Sequence, residues 1–235
     1  MIKHIVLDIG GVMVYPRLGE WNLPYGEAAI LGEKARDIAT SKYLIAHRNA
    51  LHWLDESQRI DTVEEERALR RGYFRDMNAQ MGWNLPDVDI WRLGDDFTDN
   101  INRYGFFNDV LPWLNRWRDN YTVSVLSDAM PSITVFLNQW GVLPYLTAQV
   151  YSFQQGVIKP DRAMYDAVLK ALGARAEECL YADDKLENVL AAQALGFHAV
   201  QMARSETLPP QLWNGPVARS FEALNARLDA MNKED

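Results

Sequence analysis

The sequence has one cysteine, Cys179, in 235 residues. That excludes an internal disulfide framework, and it leaves no Cys-x-x-Cys or Cys/His spacing for zinc. No apolar stretch approaches the ~20 residues of a membrane-spanning helix. Positive charge is also short: 24 Lys plus Arg stand against 32 Asp plus Glu, a formal charge of −8. An acidic chain argues against nucleic acid or an anionic membrane as the main partner. The start, Met1 to Asp8, meets an acid too early for the core of a signal peptide. These absences predict a soluble protein of a reducing, cytoplasmic compartment. No repeat or low-complexity segment is visible. Hydrophobic residues at 48% and charged residues at 24% are those of a globular chain. At this length about 70% of the unfolded surface can be buried, so folding needs no metal or disulfide staple.

Four short apolar runs read as buried parallel strands: 2–9, stopped by Gly10-Gly11, then 121–127, 179–183 and 197–202. Helical patterns lie between and around them at 107–119, 131–140, 161–172 and 185–195. Asp161 is a predicted N-cap for the third helix, and Gly196 closes the fourth. Ser220 precedes a last amphipathic helix carrying Phe221, Leu224, Leu228 and Met231. Strands alternating with helices predict an α/β fold with a doubly wound parallel sheet. The stretch 15–105 differs, with no convincing strand and much helical pattern. It reads as an inserted helical cap, leaving 1–14 and 106–235 as the α/β core. Within it, Glu64-Glu65-Glu66-Arg67 with Arg70 and Arg71 reads as a solvated helix face. Trp21, Trp53, Trp83 and Trp91 read as filling for a small helical core.

Four segments carry candidate chemistry at or beside predicted strand ends, where open α/β sheets bind ligands. They hold Asp8 with Gly10-Gly11, Ser127-Asp128, Lys159 before Pro160, and Asp183-Asp184 followed by Asn188. Each alone is weak. An aspartate ending a strand is often a turn residue, and a serine there a cap. Asp183-Asp184 is stronger, because adjacent carboxylates repel unless a cation is near. Together the set has one logic. Carboxylates on two strands can share Mg²⁺, a hydroxyl and an ammonium can hold phosphoryl oxygens, and one carboxylate remains to attack phosphorus.

In these four segments, taken in order, the sequence resembles the haloacid dehalogenase-like hydrolase superfamily. The stretches 158–165 and 183–196 carry the resemblance most clearly. It implies a Rossmann-like core with a helical cap between the first and second motifs. It further implies Asp8 as nucleophile and metal ligand, the Gly10 carbonyl on the same metal, and Ser127 and Lys159 on the phosphoryl oxygens. Asp184 would hold Mg²⁺, with Asp183 ligating as well and Asn188 steadying the site from behind.

One departure stands out. Phosphatases of this family usually have Asp-x-Asp in the first motif, the second Asp serving as acid and base. Here Gly10 occupies that place. Asp128, where the family more often has Asn, is a candidate to bring a carboxylate near the phosphate; the alternative is that it caps the next helix. Gly94-Asp95-Asp96-Phe97-Thr98-Asp99 mimics another form of the last motif, but it follows no apolar strand and reads as a cap helix. Cys179 reads as core filling. His47 and His52 read as surface or core histidines. The expected function is a Mg²⁺-dependent phosphatase of a small phosphorylated metabolite, such as a sugar phosphate, acting through an aspartyl-phosphate. Two alternatives stay open: a catalytically weak binding or regulatory relative, and a haloacid dehalogenase.

Overall fold

The structure is a computed structural model that describes residues 1–19, 21, 26–55, 57–204 and 213–234. In chain order the strands are β1 His4–Leu7, β2 Val14–Pro16, β3 Tyr104–Phe106, β4 Thr122–Ser127, β5 Leu146–Tyr151, β6 Cys179–Asp183, β7 His198–Met202 and β8 Val217–Ala218. The α-helices are α1 Glu27–Leu31, α2 Ser41–Ala50, α3 Val63–Met81, α4 Asp87–Asp99, α5 Val110–Trp117, α6 Ser132–Gln139, α7 Ser152–Gln155, α8 Arg162–Leu172, α9 Leu186–Ala194 and α10 Phe221–Glu234.

Six strands form one parallel sheet in the order β5-β4-β1-β6-β7-β8. Successive strand residues face opposite sides. Ile5, Leu7, Val123, Val125, Leu180 and Ala182 pack into one buried cluster, and Val6, Leu126, Cys179 and Tyr181 into another. Both faces are therefore covered, which is why these strands read as unbroken apolar runs. Asp161 caps α8, accepting from Ala163 N at 2.8 Å. Gly196, at φ +95°, follows the end of α9. Cys179 is buried, and burial pushes its thiol up to about 12.

Between β2 and β3 the described residues are largely helical. Tyr73, Phe74, Met77, Trp83, Leu93 and Phe97 form part of a hydrophobic core of its own. Among the described residues, no helix is long and apolar enough to cross a membrane.

The structure corrects the sequence reading in four places. Strands β5 and β8 join the sheet outside the four apolar runs; β5 alternates Thr147 and Gln149 with apolar residues, and β8 has two residues. The stretch 15–105 is not free of strand at its ends, because Val14–Pro16 pairs antiparallel with Tyr104–Phe106. Each has three residues, too few for an alternation signal, and Gly105 is required because a Cβ there would lie 2.1 Å from the Tyr15 ring. Of the tryptophans, Trp83 fills the helical core, while Trp21 and Trp91 are exposed at 39% and 46%.

The fourth correction concerns the charge run on α3. Glu64 and Glu65 are exposed, but Glu66 and Arg70 are buried. They continue the stripe of Tyr73, Phe74 and Met77 at helical spacing, so they face inward. Glu66 accepts from Ser132 N at 2.7 Å and from Ser132 Oγ at 3.0 Å, at the first turn of α6. A carboxylate suits the exposed amides and positive dipole end of that helix. This bond ties the helical insert to the sheet domain. Glu66→Ala is expected to cost about 3 kcal/mol, since it strands buried donors and leaves Arg70 without a nearby carboxylate. Urea unfolding measures it, and a loss under about 1 kcal/mol would show the tie to be dispensable.

Candidate active site

The chain runs from β1 to β4 and β5 on one side of the sheet, then returns to β6 on the other side of β1. β1 and β6 thus flank the point where the winding reverses, and a crevice opens beyond their carboxyl ends. Asp8 follows β1, its N–H donating to Ala182 O of β6 at 2.9 Å. Ser127 ends β4, Asp183 ends β6, and Lys159 comes from the loop after α7. The residues singled out from the sequence therefore meet in one place.

Lys159 is the centre of the group. Its ammonium lies 2.6 Å from Asp183 Oδ2, 3.0 Å from Asp8 Oδ1, and donates to Leu126 O at 3.1 Å. Asp183 is completely buried and heavily engaged. Its Oδ1 accepts from Lys185 N at 2.8 Å, Tyr181 OH donates to Oδ2, and Asn188 Nδ2 reaches both oxygens at 3.2 and 3.1 Å. Asn188 is held in turn by Tyr165, which donates to its carbonyl at 2.9 Å. Asp128 lines the cleft, and its Oδ1 accepts from Lys159 N at 2.9 Å. The capping acceptor for α6 is Glu66 instead.

Asp8, Asp183 and Asp184 each present a carboxylate oxygen within 4.8 Å of the others. Burial raises the Asp8 carboxyl to about 6, with Asp183 and Asp128 adding to the shift against Lys159 and Ser127. Burial together with Asp8 and Asp183 raises Asp184 to about 7. For Lys159, burial works against the charge, but Asp8, Asp183 and Asp128 outweigh it and hold the ammonium above its ordinary value. For Asp183, burial is likewise outweighed by Lys159 and the donors around it, leaving its carboxyl low. Carboxylates outnumber the ammonium here, so negative charge is left uncompensated in a low-dielectric site.

These groups fit a small hard cation. Asp8 Oδ1 is buried and has no hydrogen-bond partner among the described residues, although it lies near Lys159. The donor set is all oxygen, the chemistry that suits Mg²⁺. Gly11 is shaped for the same site: its φ is +67°, and a Cβ there would lie 2.4 Å from Asp184 Oδ2. A glycine lets the loop close on that carboxylate.

The cleft, of about 160 Å³, is lined by Asp8, Gly10, Ser127, Asp128, Lys159 and Asp184 on the sheet side. The helical side adds Trp21, Glu66, Arg70 and Arg103, which the sequence reading did not place there. For Glu66 and Arg70 the signal was their spacing from Tyr73, Phe74 and Met77. For Trp21 and Arg103 no local pattern marks them. Trp21 lies over Gly10, its ring 3.4 Å from where a Cβ would be. The mimic on α4 is taken up in ion pairs, Asp95 with Arg71 at 2.7 Å and Asp99 with Arg67 at 2.6 Å. His47 meets Tyr73 at 2.7 Å, and His52 is exposed; neither lines the cleft.

A family model for haloacid dehalogenase-like hydrolases matches residues 2–196. The chain belongs to that family. Among curated relatives of this hydrolase, the sesquiterpene phosphatase astK of Aspergillus oryzae is 45% identical over 51 residues, 22% of this chain and 26% of that protein. The match therefore spans about a quarter of that relative's length. The D-ribitol-5-phosphate phosphatase of Bacteroides thetaiotaomicron is 25% identical over 223 residues, 86% of this chain and 92% of that protein. Solved structures share the fold. The 2-haloacid dehalogenase of Pseudomonas syringae pv. Tomato has a TM-score of 0.67 at 16% identity, covering 98% of this chain and 99% of its own. A HAD family enzyme of Bacteroides thetaiotaomicron in complex with magnesium and inorganic phosphate has a TM-score of 0.59 at 18% identity, covering 88% and 96%.

A raised carboxyl supports the fold fully below its unfolded pKa near 4, and the contribution is lost as pH climbs through the folded value, about 7 for Asp184. In metal-free buffer, Asp184→Asn is therefore expected to gain in Tm on the wild-type hydrolase between about pH 4 and pH 8. Added Mg²⁺ should then raise the Tm of the wild type and not of the variant. A Tm difference that is constant with pH would mean that Asp184 carries no charge strain.

Proposed function

We propose that this hydrolase is a Mg²⁺-dependent phosphatase of a small phosphorylated metabolite, working through an aspartyl-phosphate on Asp8. The observation that carries the reading is the Asp8–Lys159–Asp183 group with Asp184 beside it, a nucleophilic carboxylate in a cleft short of positive charge. The two phosphatase relatives support the choice of phosphorus over carbon. Residues 15–105 act as the cap over a core of 1–14 and 106–235. The single buried thiol supports a reducing, cytoplasmic setting.

Asp8, Asp184 and the Gly10 carbonyl would hold the metal, with Asp183 anchoring Lys159 and Asn188 fixing Asp183. When bound, Mg²⁺ supplies positive charge that offsets the carboxylates and the phosphoryl oxygens. Asp8 is held ionised by Lys159 and attacks phosphorus in line. The P–O bond to the leaving group breaks, and its electron pair departs with the alkoxide. Ser127 and Lys159 hold the equatorial oxygens as charge develops on them. Water then attacks the phosphorus of the acyl phosphate, the P–O bond to Asp8 breaks with its electron pair returning to the carboxylate, and the proton that water loses balances the one the alkoxide takes from solvent.

Gly10 removes the acid that the family commonly places in the first motif, and the Trp21 ring covers that spot. A positioned acid typically contributes 10²–10⁴ in rate, so esters with good leaving groups are favoured. Two measurements test the reading. Across a panel of phosphorylated metabolites, turnover should require Mg²⁺, and Asp8→Asn should lower it by about 10³-fold or more while leaving the fold intact. In a series of aryl and alkyl phosphates, the rate should rise with leaving-group acidity. A flat series would mean that another group, such as Asp128 in the cleft, already supplies the proton.

A further inference from the structure

The cleft holds two guanidinium groups for which hydrolysis at Asp8 has no use. Arg70 on α3 and Arg103 before β3 line it, at 7% and 4% exposure. Both lie over the Phe97 ring, with Cζ 4.4 Å and 3.7 Å from its centre. Arg103 is satisfied: Nη1 donates to Phe97 O at 3.1 Å, and Nη2 donates to Trp21 O. Arg70 is not. Its Nη2 stands 3.5 Å from Glu66 Oε1, and its Nε and Nη1 find no hydrogen-bond partner among the described residues.

Glu66 does not satisfy these donors, since its oxygens accept from Ser132 N and Oγ and approach only Nη2 of Arg70. Among the described residues, Glu66 is the carboxylate within ion-pair distance of Arg70, and Asp96 acts on Arg103 only at longer range. Native folds rarely retain buried donors without a partner, and a guanidinium is the group suited to carboxylate or phosphate.

We propose that Arg70, with Arg103 adding positive charge beside it, is an anion-binding subsite for a second anionic group on the substrate, a carboxylate or phosphoryl remote from the phosphorus that Asp8 attacks. This rests on the phosphatase reading of the cleft. It narrows the substrate class to metabolites carrying an anion at each end.

The test compares kcat/KM for butyl phosphate, its ω-carboxylate analogue and butanediol bisphosphate. The wild type should favour one charged-tail ester over butyl phosphate by about tenfold or more, and which one wins names the anion. In Arg70→Met that ratio should fall to near one, a change that a general loss of activity would not produce. Equal rates on all three esters, or a preference that survives in Arg70→Met, overturn the subsite and leave the phosphatase reading standing. Should Arg70→Met fail to fold, Arg70→Lys keeps the charge but loses Nε–H and the planar group. It should lose about threefold or more of the preference, and an unchanged ratio overturns the proposal. If none of these alkyl esters is hydrolysed, the aryl phosphates of the leaving-group series decide the phosphatase reading, and calorimetric titration with malonate decides the subsite. Binding at least about tenfold weaker in Arg70→Met supports it, while equal or absent binding overturns it.

Discussion

The ammonium of Lys159, 3.0 Å from Asp8 and 2.6 Å from Asp183, is what allows two carboxylates to sit side by side at the ends of adjacent strands. Parallel pairing of β1 with β6 brings Asp8 next to Ala182 and Asp183 whether or not a cation is present. In water such a pair would tolerate the proximity; buried, it needs a counter-charge. The loop after α7 supplies it, and Asp128 holds that loop by accepting the Lys159 amide. Around this centre Tyr181, Asn188 and the Lys185 amide complete the coordination of Asp183, which leaves Asp8 less fully bonded. The polar network is thus asymmetric: one carboxylate is locked and the other is available.

Much of this arrangement is legible in the amino-acid order alone. Apolar runs closed by glycine or acid mark the three central strands and β7, because a strand buried on both faces needs no alternation. Asp8, Ser127 and Asp183-Asp184 stand at the ends of such strands, Lys159 lies on a loop before Pro160, and their order along the chain does the rest. The edge is harder to see. Strand β5 mixes Thr147 and Gln149 into its pattern because it borders only one neighbour in the sheet. The pair β2–β3 is too short for periodicity to register, and what holds it is long-range.

The misread charge run has a physical lesson of its own. Glu and Arg at four-residue spacing usually describe a wet helix face, and Glu64 and Glu65 obey that rule. Glu66 and Arg70 do not, because their register is that of Phe74 and Met77 rather than of their acidic neighbours. Charge alone could not separate the two sets; phase along the helix could. What phase could not supply was the reason for burial. That reason lies far away in sequence, at the uncapped first turn of α6 and at the cleft. Trp21 is a similar case: it lies over Gly10, a contact no sequence window contains.

The adjacency of Asp183 and Asp184 has a consequence for how this chain can change over time. Consecutive strand-end residues divide between two destinations: Asp183 goes under the sheet edge to Lys159, and Asp184 goes into the cleft against Gly11. Because strand side chains alternate, sliding β6 by one position against β1 would exchange the two environments wholesale. An insertion or deletion between the start of β6 and Asp184 would therefore undo both placements at once. Length polymorphism is instead expected on the outer surface of the helical insert, where no strand register has to be kept.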